Sequence, residues 1–357
     1  MSTTTITCEK IDLVRNHLNA DRLDIVKVLG YHIVTGRDEF KEGDKVIYFP
    51  PDILIPEQVS TALGVTKYLK ESFYPGDNEK TRCRVSACRI RGVASYGFVI
   101  LATEGLEVGT DVTNMYQGHK YIPPVTNHGD AARDLPNFHI YTDIENIQRY
   151  PKMIEEGTLV RITEKIHGSS NRLGYVKDEN GHMMFVAGSH RRRLKSEYES
   201  GVPSMYWEPM TVEMQTLLTT ISSHYYSADV IIFGEIFGPR VQDLEYGQNK
   251  KTFRVFDISV NGSYLDWNDI KYWASFNKFT LVPLLYTGEF NSNLIEELTS
   301  GPTTFHKLDA PVKSKFKGRE GIVITPLKEQ VDQCGNRVIL KSVSVDYHNR
   351  HNATDNE

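Results

Sequence analysis

Three ionisable side chains in the second half of the chain stand where an apolar run gives way to glycine. Lys165 closes a run containing Leu159, Val160 and Ile162 and is followed by Ile166-His167-Gly168. Glu235 follows Val230-Ile231-Ile232-Phe233 and lies between Gly234 and Gly238. Glu320 directly precedes Gly321 and the run Ile322-Val323-Ile324. A lysine at a strand end beside a glycine turn is well placed to be held rigidly near a phosphate. A carboxylate aimed into such a site can hold a divalent cation against phosphates, usually through water. Two of these positions also have a plainer reading: Lys165 as a solvated strand end, Glu235 as half of a surface salt bridge.

The elements that position these groups follow from local pattern. Ile162 and its neighbours favour a strand before Lys165. Gly168-Ser169-Ser170 marks a turn. Residues 171–175 and 183–187 alternate as a hairpin across Asp178-Glu179-Asn180-Gly181. Four cations follow in the stretch Arg191-Arg192-Arg193-Leu194-Lys195. Residues 209–224 carry Met210, Met214, Leu217, Leu218 and Ile221 on one helical face, which is core. Residues 229–233 form a buried strand, and Asp266 is an N-cap for a helix over residues 267–277.

Upstream, residues 25–34 read as two short strands around Gly30, and residues 45–49 as a third ending at Pro50-Pro51. Residues 82–90 and 96–101 give two more. Five short strands with glycine turns suggest a small closed barrel such as the OB-fold. Arg82 and Arg84 alternate with Cys83 and Val85, and Arg89 and Arg91 flank Ile90. Period-two alternation places each arginine pair on one face. That face is either a basic strip for nucleic-acid phosphates or an ordinary solvated surface. Tyr68, Phe73, Tyr74 and Tyr96 lie near enough to stack on bases. Residues 121–140, with Pro123-Pro124, Asn127-His128-Gly129 and Asp134-Leu135-Pro136, read as a linker. The organisation expected is 1–120 as an OB-like module, 121–140 as linker, 141–350 as a second domain and 351–357 as a tail. The fold class expected is α+β.

At 357 residues, with 39% hydrophobic and 24% charged side chains, the chain has ample core for two domains. Its formal net charge of −5 excludes a protein coated in positive charge, so any nucleic-acid contact must be local. The four cysteines show no Cys-x-x-Cys pair. Cys83 and Cys88 are expected as core thiols in an intracellular, cytoplasmic, reducing setting. No apolar run approaches the length of a membrane helix.

The stretch Lys165-Ile166-His167-Gly168 resembles motif I of the covalent nucleotidyltransferases, with histidine where aspartate is usual. Further stretches follow in family order. Gly188-Ser189-His190-Arg191 is similar to motif Ia, Gly234-Glu235-Ile236-Phe237-Gly238 to motif III, and Phe256-Asp257 to motif IIIa. Glu320-Gly321-Ile322-Val323 is similar to motif IV, and Lys341 stands in motif V, where the family often has two lysines. Together with the N-terminal module, this combination resembles the Deinococcus- and Naegleria-type ATP-dependent RNA ligases. The chain stops soon after motif V, in a polar stretch beginning Asp346-Tyr347-His348, so a substrate clamp is expected in the N-terminal module.

The resemblance implies that Lys165 forms a lysyl-adenylate from ATP and passes AMP to an RNA 5′-phosphate, which a 3′-hydroxyl then displaces, sealing a nick. It implies Glu235 on the ribose, Phe256 against the purine, Arg191 and Arg192 on phosphate, and Mg2+ or Mn2+ at Glu320 and Asp257. Arg149, Glu164, His167, Gly168 and Lys341 complete the nucleotide site. For His167, orienting Lys165 and contacting phosphate both stay open. A lysine nucleophile must be neutral, and with a pKa of roughly 10.4, deprotonation at pH 7 costs about 4.6 kcal/mol. Nearby cations would lower that cost. A monomer acting on RNA ends or nicked duplex, with no membrane partner, is expected. The rival readings are a DNA ligase or mRNA guanylyltransferase of the same fold, and a non-catalytic nucleic-acid-binding protein.

Overall fold

A computed structural model describes residues 4–122, 130–198, 200–277, 279–305 and 316–348. Pro123-Pro124, Asn127-His128-Gly129 and the 351–357 tail lie outside the described residues. The chain divides into two compact units. One comprises Met1–Pro124, Gln148–Tyr150 and His348–Glu357, the other Val125–Ile147 and Pro151–Tyr347.

The first unit is built from short antiparallel strands, more of them than the five expected. Leu23–Val28 and Tyr31–Gly36 form the hairpin read around Gly30. Its turn needs positive φ at two successive residues, Leu29 at 50° and Gly30 at 81°, and only the second is free of strain. Lys45–Phe49 is sandwiched between Thr7–Lys10 and Phe98–Leu101. Ile6, Ile47, Phe49, Ile53 and Val85 fill the core beneath them. Along Lys80–Arg84 the expected alternation holds, with Cys83 buried between outward Arg82 and Arg84. It fails along Ala87–Ile90, where Cys88 and Arg89 are both exposed. This strand pairs only with Val93–Tyr96 in a two-stranded ribbon, so neither of its faces must be apolar throughout. Cys88 is therefore not the core thiol expected, whereas Cys83 is.

The second unit carries two sheets. The five-stranded sheet runs in the order Glu145–Asn146, Leu340–Val343, Gly321–Pro326, Leu159–Lys165, Leu284–Glu289. It is antiparallel except for the short first pair. The six-stranded sheet runs Arg193–Leu194, Met183–Ser189, Ser169–Lys177, Val230–Phe237, Thr252–Val260, Ser263–Tyr264. Val230–Phe237 is buried along nearly its whole length, which explains its unbroken β-branched and aromatic run. On one side of it lies the helix Val212–His224, started by Thr211, whose side chain accepts from the Met214 N–H at 3.3 Å. Met214, Leu217, Leu218 and Ile221 pack there with Leu173, Val230 and Ile232. The helix Trp267–Asn277 joins the same core through Trp267, Ile270 and Trp273. Asp266, expected as its cap, accepts the Glu329 N–H at 2.7 Å.

Two local readings are corrected. Ser169 and Ser170 are not turn residues: they open the strand Ser169–Lys177, opposite Ile236 and Glu235. The reversal is confined to residues 166–168. Residues 130–140 of the expected linker do not run as one, because Leu135 and Phe138 are buried in a core with Val186, Ile231 and Phe233. Among the described residues, no helix is long and apolar enough to cross a membrane.

Candidate nucleotidyl-transfer site

Lys165 ends a strand of one sheet and Ser169 opens a strand of the other. The site forms at this crossing. Lys165 pairs in register with Gly321, and Gly321 with Val343. Side chains opposite one another, and those two residues along, share a face. Lys165 and Lys341 therefore project from the same side of the sheet, since Thr163, Val323 and Lys341 form the next rung. Glycine at 321 is required by packing, because a Cβ there would sit 2.1 Å from the Ser342 carbonyl oxygen.

Glu320, just before that glycine, is 1% exposed and its Oε1 accepts a short hydrogen bond from Lys165 Nζ. Glu235 enters from the other sheet, opposite Ser170. It takes a hydrogen bond from the Gly168 backbone N–H. A Cβ on Gly168 would lie 2.2 Å from the Ile236 carbonyl oxygen and 2.9 Å from the Glu235 side chain. Burial pushes the Glu235 carboxyl from its ordinary 4.5 up to about 8, against the pull of Lys165 and with the push of Glu320. Two carboxyl groups thus crowd the Lys165 amine, an arrangement that suits added positive charge.

His167 is buried between these groups. Its backbone N–H donates to the Tyr246 hydroxyl at 2.8 Å. Its Nε2 lies 2.8 Å from Asp243 Oδ1, and its Nδ1 lies 2.9 Å from the Tyr347 hydroxyl. Phe256 is half-buried, set edge-on to Tyr141 at 4.9 Å, and borders the cluster containing Ile166 and Val343. The crossing thus gathers Lys165, His167, Gly168, Glu235, Glu320 and Lys341, with Phe256 beside them. Arg191 is exposed and Arg192 half-buried just past Met183–Ser189, with the Arg192 N–H reaching Ser189 Oγ at 3.3 Å.

Other expected site residues lie elsewhere. Asp257 is 1% exposed and accepts from Arg161 Nη2 at 2.5 Å, from Arg337 Nη1 at 3.0 Å and from the Tyr141 hydroxyl. Burial alone would raise its pKa, but Arg337 and Arg161 hold it below the ordinary value. With both oxygens so engaged, Asp257 is corrected from metal ligand to the anchor of a buried ion network. Glu164 is also corrected. It faces away from Lys165, is 1% exposed, and accepts from Thr303 Oγ1 at 2.5 Å and from the Thr304 N–H at 2.9 Å. Its carboxylate ties down residues 303–304 instead of meeting a purine. Arg149 groups with the N-terminal unit, where Nη2 donates to the Thr5 carbonyl at 2.6 Å.

In the N-terminal unit, Arg84 is removed from the basic strip. Its guanidinium donates to Asp52 Oδ1, at 2.7 Å through Nε, and stacks on Tyr121 with 3.6 Å to the ring centroid. Arg82 donates to the Lys67 carbonyl but stays exposed, as do Arg89 and Arg91. Of the nearby aromatics, Tyr68 and Phe73 are exposed whereas Tyr96 is buried.

Asp243, Tyr246 and Tyr347 were missed from the sequence. Asp243 and Tyr246 sit in a polar turn without periodicity. Tyr347 sits in a stretch that reads as polar chain end but is fully buried.

A sequence profile of the RNA ligase family matches residues 158–343, and one for an OB-fold domain matches residues 5–102. No curated protein matches the chain. Several solved structures of Naegleria gruberi RNA ligase share the fold. A lysine-to-alanine variant with ATP and Mn is 22% identical with a TM-score of 0.68, covering 97% of this chain and 100% of that one. An apo variant is 24% identical with a TM-score of 0.70, covering 98% and 100%. A complex with PPi is 22% identical with a TM-score of 0.67, covering 98% and 99%. The ligase profile spans just over half of the chain and contains every group gathered at the crossing between the sheets. The chain therefore belongs to the RNA ligase family, with an OB-fold module at its N-terminal end.

Proposed function

We propose that this RNA ligase is ATP-dependent and works through a covalent lysyl-AMP at Lys165, joining an RNA 5′-phosphate to a 3′-hydroxyl at nicks. The observation that carries the reading is the convergence of Lys165, Glu320, Glu235 and Lys341 at the crossing of two sheets, inside the ligase span. ATP and Mn are bound by the Naegleria ligase whose fold this chain shares.

Lys165 Nζ, neutral once Glu320 Oε1 has taken a proton from it, bonds to the α-phosphorus and loses its second proton to water, while the bond to the bridging oxygen breaks and pyrophosphate leaves. Glu320, hydrogen-bonded to Nζ, orients the amine. Lys341, on the same sheet face, offsets phosphate charge. The 5′-phosphate then displaces the lysine, which takes protons back from Glu320 and water, and the 3′-hydroxyl, losing its proton to water, displaces AMP as the phosphodiester forms. Glu235 holds the ribose, Phe256 the purine face, and Arg191 and Arg192 phosphate. Arg149 is assigned to the nucleotide on the resemblance alone.

Among the described residues, no group of three or more histidines, cysteines or acids is clustered for a metal. One buried carboxylate, Glu320, fits a Mg2+ or Mn2+ completed by water and substrate phosphates. When bound, such an ion supplies charge neutralisation of the phosphates. In the OB-fold module, Arg82, Arg89 and Arg91 are assigned to RNA phosphates.

Incubation with α-labelled ATP and Mg2+ or Mn2+, followed by a denaturing gel, tests the reading. Label is expected on the wild type and absent from Lys165→Ala. Label retained by Lys165→Ala, or absent from both, refutes it. Label from GTP in place of ATP indicates capping chemistry.

A further inference from the structure

We infer that Asp243 and Tyr347 are positioning residues of the transfer site, locking the His167 imidazole in one tautomer and one orientation. The inference rests on the reading of Lys165 as the nucleotide acceptor. His167 Nε2 faces Asp243 Oδ1 at 2.8 Å, and Nδ1 faces the Tyr347 hydroxyl at 2.9 Å. A carboxylate only accepts, so Nε2 must carry hydrogen. With the second hydrogen absent, as the inference holds, the ring presents its Nδ1 lone pair and the Tyr347 O–H donates to it.

The lock matters because Nδ1 lies 4.0 Å from Glu320 Oε2, while Lys165 holds the other oxygen of the same carboxylate. In the opposite tautomer, Nε2 would turn a lone pair on the Asp243 carboxylate, and Nδ1 would carry a hydrogen 4.0 Å from Glu320 Oε2, whose attraction would compete with that of Lys165. With Tyr347 donating, the ring walls one side of Glu320 without competing for it.

Tyr347 is built for this placement. It is fully buried and packs edge-on against His167. Its own N–H donates to Ser344 Oγ at 3.0 Å. Ser344 in turn donates its N–H to the Glu320 carbonyl at 2.8 Å and its hydroxyl to the Arg319 carbonyl at 3.0 Å. One short C-terminal turn therefore fixes both the backbone of Glu320 and the ring of His167. Asp243 reaches the ring from the opposite side and keeps its carboxylate partly exposed.

The test uses the full chain with 15N-labelled histidine, the His167 signals being assigned by their loss in His167→Asn. Two-bond 1H–15N spectra of the wild type are expected to show a protonated Nε2 and a bare Nδ1. Tyr347→Phe keeps the buried ring and removes only the hydroxyl. It is expected to mix the tautomers and slow lysine labelling about tenfold, the scale of one lost buried hydrogen bond, with the KM for ATP unchanged. Asp243→Asn keeps an acceptor and is expected to label near the wild-type rate, whereas Asp243→Ala falls with Tyr347→Phe. A protonated Nδ1 in the wild type, with Nε2 either bare or also protonated, wild-type labelling by Tyr347→Phe, or equal rates for Asp243→Asn and Asp243→Ala each overturn the inference. A wild type that takes no label overturns the assignment of Lys165 itself, and that outcome is read separately from the tautomer.

Discussion

Glu235 offers a measurable consequence of the crowded charges at the site. Its carboxyl titrates near pH 8 instead of the ordinary 4.5, because burial disfavours the anion, Lys165 only partly offsets this, and Glu320 adds repulsion. At pH 7, about nine tenths of the molecules therefore carry a proton on Glu235. On the proposed ribose contact, a bound hydroxyl donating to Glu235 favours its anion, because a hydrogen bond to the charged form stabilises that form. Binding at pH 7 should then release close to one proton. Titration calorimetry with an α,β-uncleavable ATP analogue and Mg2+, run in two buffers of different ionisation enthalpy, reads that number directly. Glu235→Gln should reduce it to near zero. Absence of buffer dependence in the wild type, or equal release by Glu235→Gln, refutes the argument.

The same shift fixes a sign for stability. Because the folded pKa lies above the unfolded one, the group's contribution is fully present below pH 4.5 and is lost as pH rises to about 8. Glu235→Gln should flatten that decline by on the order of 3 kcal/mol.

Gly168→Ala places a Cβ 2.2 Å from the Ile236 carbonyl oxygen. It should force the sheets apart at the crossing and slow labelling about 100-fold, the scale of a 1 Å misplacement; labelling within about threefold of wild type would contradict the packing argument. Asp257→Asn strips the charge between Arg161 and Arg337. It should lower stability by about 3–5 kcal/mol in urea titrations, and a loss under about 1 kcal/mol would mean the network is not as closed as its geometry indicates. In the OB-fold module, Arg89→Ala with Arg91→Ala should weaken nick sealing while leaving lysine labelling intact. Arg84→Ala should instead lower the melting temperature, since its guanidinium is bound to Asp52 and Tyr121. Equal loss of labelling and sealing in the double variant would assign those arginines a folding role.

Local pattern marked three of the groups that the fold brings together at the crossing. Lys165, Glu235 and Glu320 each sit where a strand meets a glycine, and such junctions are written in adjacent residues: an apolar run, then a residue that admits close backbone approach. The hairpin after the crossing and the Val212–His224 helix follow from periods of two and 3.6, and the buried Val230–Phe237 strand from an unbroken apolar run. What local pattern does not contain is partnership between distant residues. Asp257 beside Phe256 reads as a candidate ligand until Arg161, 96 residues away, is seen to hold it. The orientation of Glu164 depends on pairing with strands far along the chain, which sets the face it occupies. Tyr347 lies 180 residues from the His167 ring it bonds and belongs to a stretch whose neighbours are polar. Only the folded chain decides that this tyrosine turns inward, because its burial is secured by packing contacts from other elements and not by any repeat in its own sequence.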